Sequence, residues 1–200
     1  MCIRDRADIV RRYLASVTDV DTMFGEILDT ARHLGMLDDT IVIFWSGDHG
    51  FSLGDSGQWG KWTAHDAATR IPLIMSVPGT PSAGRRAGGI VEAVDMYPTL
   101  DQLCELPRPT QNLDGVSFAA LFDDPARPWK KAAFNLWETS IKSVKTERYN
   151  LIVNNATGKV QLFDLAVDPG ENFNIARLRP DLVARLRAVL EAGPAAARPT

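Results

Sequence analysis

The sequence has two cysteines in 200 residues, Cys2 and Cys104, which is too few for a disulfide framework. Neither belongs to a Cys-x-x-Cys pair with metal-ligand spacing, so cysteine usage leaves the compartment open. No apolar run approaches the roughly 20 residues that a membrane-spanning helix needs. Cation excess is also missing: 22 Lys and Arg face 25 Asp and Glu, for a formal charge of −3. Surfaces that attract nucleic acid or anionic lipid need clustered positive charge, so both partner classes are excluded. The short basic clusters Arg11-Arg12, Arg85-Arg86 and Lys130-Lys131 read as solvated faces. Internal repeats are absent. The opening Met1-Cys2-Ile3-Arg4-Asp5-Arg6 has neither an apolar signal core nor a helix cap, and reads as an arbitrary truncation or a scar.

The composition, 45% hydrophobic and 24% charged, suffices for one core. From about Ala7 to Leu34 the apolar positions Val10, Tyr13, Leu14, Val17, Val20, Phe24, Ile27, Leu28 and Ala31 recur at three- and four-residue steps, and Gly35 ends the predicted helix. Asp38-Asp39 opens a predicted strand, Thr40 to Trp45, whose continuous apolar, β-branched character suits a parallel strand covered on both faces. A second such strand is predicted near Ile71–Val77, and a helix from Asp95-Met96-Tyr97-Pro98 through Leu106. After Asp123-Asp124-Pro125 short β-type runs follow, at Ala133–Trp137, Ile141–Thr146, Tyr149–Val153 and Val160–Phe163. An amphipathic helix from Pro180 to about Leu190 and an Ala/Pro tail complete the chain. The expected organisation is an α/β part at 1–124, a small α+β subdomain at 125–193 and a disordered tail at 194–200.

Two loops can carry chemistry. Asp48 and His49 follow a buried strand, where open α/β sheets place ligands, and offer a carboxylate oxygen and an imidazole nitrogen to a divalent cation between Gly47 and Gly50. A loop turn with a solvated Asp explains the same triplet. Lys61, in Gly57-Gln58-Trp59-Gly60-Lys61-Trp62, can hold an ammonium over an anionic group with water partly excluded; a surface lysine packed on an indole is the bland alternative. Other motifs fail. Gly60-Lys61 has Asp55 and Trp62 where a phosphate-binding loop needs Gly and Ser or Thr, and Ser46 has Phe44 and Asp48 where a nucleophile elbow needs glycines.

From Thr40 to Ala68-Thr69-Arg70-Ile71-Pro72-Leu73-Ile74 the separate signals join: strand, Asp48-His49-Gly50, a short loop, the Lys61 segment and the closing Ala-Thr-Arg-x-Pro-Leu-Ile. The whole resembles the sulfatase family, especially its iduronate-2-sulfatase-like and choline-sulfatase-like branches. Flanking stretches extend the likeness over nearly the whole chain, including Val94 to Leu100, Val144 to Tyr149, and Leu162 to Asn174 with its Asp168-Pro169-Gly170-Glu171. Gly47 and Asp55-Ser56 depart from the family's usual residues, which puts substrate choice in doubt more than membership.

The resemblance implies an α/β, alkaline-phosphatase-like fold: the C-terminal part of a mostly parallel sheet with flanking helices, plus a small antiparallel sheet with one helix. It implies that Asp48 and His49 are metal ligands, for calcium or alternatively manganese or zinc. Lys61 is the implied catalytic and sulfate-binding residue, with His65, Trp59 and Trp62 as candidate substrate contacts. The family nucleophile is a formylglycine made within Cys/Ser-x-Pro-x-Arg, and neither Cys2 nor Cys104-Glu105-Leu106-Pro107-Arg108 fits that motif. Nucleophile, remaining metal ligands and catalytic histidine are therefore expected upstream, and the 200 residues alone are expected to be inactive. The implied substrate is a sulfated small molecule or saccharide, and the implied location periplasmic or extracellular. Phosphonate or phosphodiester hydrolysis, or a non-catalytic role, are the alternatives.

Overall fold

A computed structural model describes residues 3–107 and 109–199; Cys2 and Arg108, named above, lie outside them. In chain order the elements are α1 (Ile3–His33), β1 (Val42–Trp45), β2 (Ser52–Leu53), β3 (Trp59–Gly60), α2 (Asp66–Thr69), β4 (Leu73–Ser76), α3 (Met96–Leu103), β5 (Ala133–Trp137), β6 (Ile141–Lys145), β7 (Tyr149–Asn154), β8 (Lys159–Asp164) and α4 (Pro180–Ala192). They form two compact units, one of residues 1–46 and 72–79, the other of 47–71 and 80–200. The change of composition near residue 124 lies inside the second unit.

In the first unit α1 ends on Gly35, whose φ of +67 allows the left-handed turn that stops a helix. Met36 N donates to the Ala31 carbonyl and Gly35 N to that of Arg32, which satisfies two of the last helical carbonyls. Leu37–Asp39 form a 3-10 turn, so Asp38-Asp39 precede the strand without belonging to it. Phe24 of α1 packs its ring edge-on to Phe44 of β1, 4.8 Å between centroids.

β1 pairs with β4, and the pairing is antiparallel, with Val42 opposite Ser76 and Trp45 opposite Leu73. This corrects the parallel arrangement expected for these strands; among the described residues every strand pair is antiparallel. A run of β-branched and apolar residues reports cover on both faces, not the direction of the neighbour. Much of this unit's apolar surface is bare: Ile74 is 67% exposed, and Leu14, Val17, Val20 and Ile27 form an exposed stripe along α1.

The second unit is built on an antiparallel meander in the order β5-β6-β7-β8, and the strands fall where the β-rich runs predict. Successive side chains alternate between its faces. Val144, Leu151, Val153 and Leu162 pack under Leu182 and Leu186 of α4. On the other side Ile152 and Phe163 pack with Ala64, from the segment that follows Lys61. Pro180 sits in the first turn of α4, where its missing N–H costs nothing. The expected disorder of the tail gives way, through residue 197, to a 3-10 turn at Pro194–Ala197, because Ala197 is buried in the α4 core.

A buried ion cluster ties α3 to β5. Asp95, fully buried, accepts from Glu92 N at 2.9 Å, Val116 N at 2.8 Å and Lys130 Nζ at 2.7 Å. Lys130 Nζ also reaches Glu92 Oε2 at 2.8 Å, and Glu92 Oε1 accepts from Phe134 N of β5 at 2.8 Å. Lys130 is only 8% exposed, which corrects its reading as part of a solvated basic pair; Lys131 is exposed as expected. Sequence proximity to Lys131 suggested a surface, whereas the carboxylate that decides the matter lies 35 residues away. Lys130→Ala would leave Asp95 as an uncompensated buried charge, and chemical denaturation of the intact protein is expected to show a loss of about 3–5 kcal/mol.

Candidate active site

Gly47 and Gly50 shape the loop that carries Asp48 and His49. Gly47 has φ +81, and a Cβ on Gly50 would lie 2.1 Å from the Ala67 carbonyl oxygen. Gly50 N donates to the Ala68 carbonyl at 2.8 Å, so the loop is pressed against α2. The glycine at 50 thus serves close approach to a helix, in addition to any role around an ion.

His49 Nδ1 lies 2.7 Å from the Gly50 carbonyl, an acceptor, which makes Nδ1 the donor. Nε2, the nitrogen left to carry a lone pair towards a cation, faces Asp48 Oδ1 at 3.2 Å. Two acceptors at that distance suit a shared cation. The donor set, one carboxylate and one imidazole, is compatible with calcium and better matched to manganese or zinc. Among the described residues no group of three or more His, Cys, Asp or Glu side chains could hold a metal ion.

β2 and β3 form a short hairpin, Leu53 opposite Trp59, and Gly60, at φ +90, redirects the chain into Lys61. Lys61 Nζ lies 5.6 Å from the centre of the Trp62 ring, and Trp62 stands edge-on to Trp137 of β5 at 5.2 Å. Lys61, Asp48 and His49 line one cavity of about 360 Å³, walled also by Trp62, Asn135 and Trp137. Its chemistry is mixed: a cation, a metal-type acceptor pair and an aromatic corner around an opening to solvent.

Trp59 and His65 do not line that cavity. Trp59 covers Gly54, where an added Cβ would lie 3.2 Å from the indole. His65 is buried, its ring 5.2 Å from that of Phe163 and its Nδ1 paired with the Thr63 hydroxyl. Burial, aided by Lys159, holds its pKa below the ordinary value, so the imidazole is poorly suited to meet an anion as a cation. Cys104 is an exposed thiol just after α3, outside any nucleophile motif. Asn135 and Trp137 escaped the reading of the sequence; two positions apart on a strand, they share a face, and that spacing was their only signal.

The sulfatase profile matches residues 2–105, and that of N-sulphoglucosamine sulphohydrolase, C-terminal, matches residues 54–192. The chain belongs to the sulfatase family. It is 32% identical to arylsulfatase K of Bos taurus over 188 residues, covering 87% of this chain and 34% of the relative. It is 30% identical to N-acetylglucosamine-6-O-sulfatase of Bacteroides thetaiotaomicron, covering 83% of this chain and 32% of the relative. The sulfatase chain therefore spans about a third of the length of these curated relatives.

Among solved structures it superimposes on one in complex with its substrate, D-glucosamine-2-N,6-O-disulfate, at a TM-score of 0.79 and 27% identity, covering 90% of this chain and 39% of that one. The phosphonate monoester hydrolase of Agrobacterium radiobacter aligns at 0.76 and 28% identity, covering 88% and 39%. The fold is thus the α/β, alkaline-phosphatase-like one of the sulfatases.

A second polar cluster of this sulfatase chain lies off the cavity. Glu171, 2% exposed, accepts from Asp66 N and from Asn150 Nδ2, both at 2.6 Å, and Lys145 pairs with Asp66. Burial raises the Glu171 pKa from 4.5 to about 7; Asp168 adds to the rise, while the Asn150 hydrogen bond and Lys145 oppose it. Because the folded-state value lies above the unfolded one, the stability this carboxyl contributes is complete below about 4.5 and is lost as pH rises through about 7. Denaturation midpoints between pH 4.5 and 8 are expected to fall with rising pH, and Glu171→Gln is expected to flatten that slope.

Proposed function

We propose that the intact protein hydrolyses sulfate esters of saccharides, and that this chain supplies one side of its active site. The observation that carries the reading is the gathering of Asp48, His49 and Lys61 around one cavity with an aromatic corner. Relatives named for arylsulfate and N-acetylglucosamine-6-O-sulfate hydrolysis, and a solved neighbour holding a sulfated glucosamine, support the substrate class.

In this reading the Lys61 ammonium opposes the charge on the sulfuryl oxygens in a site that partly excludes water. Asp48 and His49 would hold a divalent cation, calcium by family resemblance although the imidazole suits manganese or zinc better, with the remaining ligands from elsewhere in the intact protein. Bound there, the cation would act as a Lewis acid towards the sulfate group. The nucleophile, a formylglycine, also belongs outside the described residues. Trp62, 70% exposed, and Trp137 offer indole faces to the apolar side of a sugar ring, while Asn135 can donate or accept hydrogen bonds with its hydroxyls. The bare stripe of α1 and the exposed side chains of the β1–β4 pair would, on the same reading, be covered by other elements of the intact protein.

The test is turnover of a generic aryl sulfate and of sulfated saccharides by the full-length protein with its nucleophile verified. No turnover of either would sink the reading. Lys61→Ala is expected to lower kcat/KM about a hundredfold, the scale for removing one preorganised charge donor. Trp137→Ala is expected to cost about tenfold, ~1.4 kcal/mol, on saccharide sulfates and far less on a small alkyl sulfate. The purified 200-residue chain is expected to show no sulfatase turnover at all, a point a sensitive fluorogenic assay would check.

Likeness to a phosphonate monoester hydrolase favours a second reading, in which the same cation and lysine face a phosphoryl group. A higher kcat/KM for phosphonate monoesters or phosphodiesters than for any sulfate ester would establish it in place of the first.

A further inference from the structure

The segment that carries Lys61 and Trp62 is glycine-rich and partly open to solvent. Gly57 and Gly60 both occupy positive φ, at +70 and +90, and Gly57, Gln58 and Trp62 face solvent. Something else must hold the lysine in place if it is to act on a defined position in the cavity. Residues 168–174, which close the connection after β8, grip this segment at both flanks.

On the upstream flank Ser56 N donates to Asn172 Oδ1 at 3.1 Å, and Ser56 Oγ donates to the Gly170 carbonyl at 2.9 Å and to the Glu171 carbonyl. On the downstream flank the Glu171 carboxyl takes Asp66 N on one oxygen and Asn150 Nδ2 on the other. Asn150 Nδ2 also reaches the Ala64 carbonyl at 3.2 Å, so the backbone on both sides of His65 is tied to the same pair of buried side chains. The gripping turn is itself braced, since Asp168 accepts from Phe173 N at 2.8 Å and Glu171 N donates to the Asp168 carbonyl at 3.1 Å. Ser56 and Glu171 both sit at positive φ, +50 and +53, a region non-glycine residues occupy only where their surroundings hold them there.

We propose that Glu171 is a positioning residue for the sulfate site: its buried carboxyl fixes the Ala64–Asp66 backbone and thereby the placement of Lys61 across the cavity. The inference rests on the proposed function for what Lys61 acts upon, but the mechanical claim stands on the hydrogen bonds alone. A cation displaced by about 1 Å from a developing charge can lose on the order of a hundredfold in rate, so the effect belongs in kcat more than in KM.

The experiment uses the full-length protein with Glu171→Ala, Glu171→Gln and Ser56→Ala, each measured for sulfate-ester kinetics and for amide hydrogen exchange. Glu171→Ala is expected to lower kcat by tenfold or more with a smaller change in KM, and to speed exchange across residues 57–66 while β6 and β7 keep their protection. Glu171→Gln retains an acceptor for Asp66 N and is expected to recover most of the rate. Ser56→Ala is expected to loosen the same segment from its other end. If Glu171→Ala does not fold, Ser56→Ala and the exchange pattern of Glu171→Gln carry the test. Kinetics within twofold of wild type in a variant that is merely less stable, or faster exchange confined to residues 168–174, would overturn the proposal. Should the wild-type protein hydrolyse no sulfate ester, the functional reading fails, and the positioning role is decided by the exchange pattern alone.

Discussion

Both walls of the cavity hang from buried carboxyl groups that accept backbone N–H donors. Glu92 takes Phe134 N and so fixes the entry to β5, the strand of Asn135 and Trp137. Glu171 takes Asp66 N and so fixes the exit from the Lys61 segment. A carboxylate removed from water is expensive unless its lone pairs are filled, and each is filled here by backbone, by an amide or by a lysine. The same bonds that satisfy these groups therefore restrict the backbone that borders the cavity. The two clusters differ in charge logic: Lys130 pairs directly with both Asp95 and Glu92, whereas Glu171 faces an amide while Lys145 pairs with Asp66, and burial raises its proton affinity.

The C-terminal sheet was the most legible part of the fold. Its strands are bounded by turn residues such as Asn154 to Gly158, and Asn154 Oδ1 accepts from Ala156 N and Thr157 N in the manner of an Asx turn. Alternation then fixes which side chains share a face. Strand direction in the β1–β4 pair was not legible, because hydrophobicity carries no sign of direction. Lys130 was misread for a related reason: adjacent lysines suggest a surface, and the buried partner lies far away in sequence.

For the site, Asp48, His49 and Lys61 were each ambiguous alone, and only the pattern through Ile74 joined them. The choice among aromatic residues depended on a turn. Trp59 and Trp62 are three residues apart in one short segment, but Gly60 at positive φ separates their surroundings: Trp59 covers Gly54, and Trp62 meets Trp137 at the cavity. Asn135 and Trp137 lie more than 70 positions beyond Lys61, roughly beyond the reach of any local pattern rule. The pairing that brings them there belongs to tertiary structure.

Among the described residues β5 has a strand neighbour on one side only, since the sheet runs β5-β6-β7-β8. A side chain on a border strand meets cross-strand neighbours on one side instead of two, so its residues tolerate variety better than those of a central strand. The aromatic and amide wall thus sits on a border strand, while the lysine and the Asp-His pair sit on loops locked by close contacts and buried bonds. On the proposed function, preference among substrates would drift along that border without disturbing the charges, which separates the part of the molecule free to diversify from the part that is not.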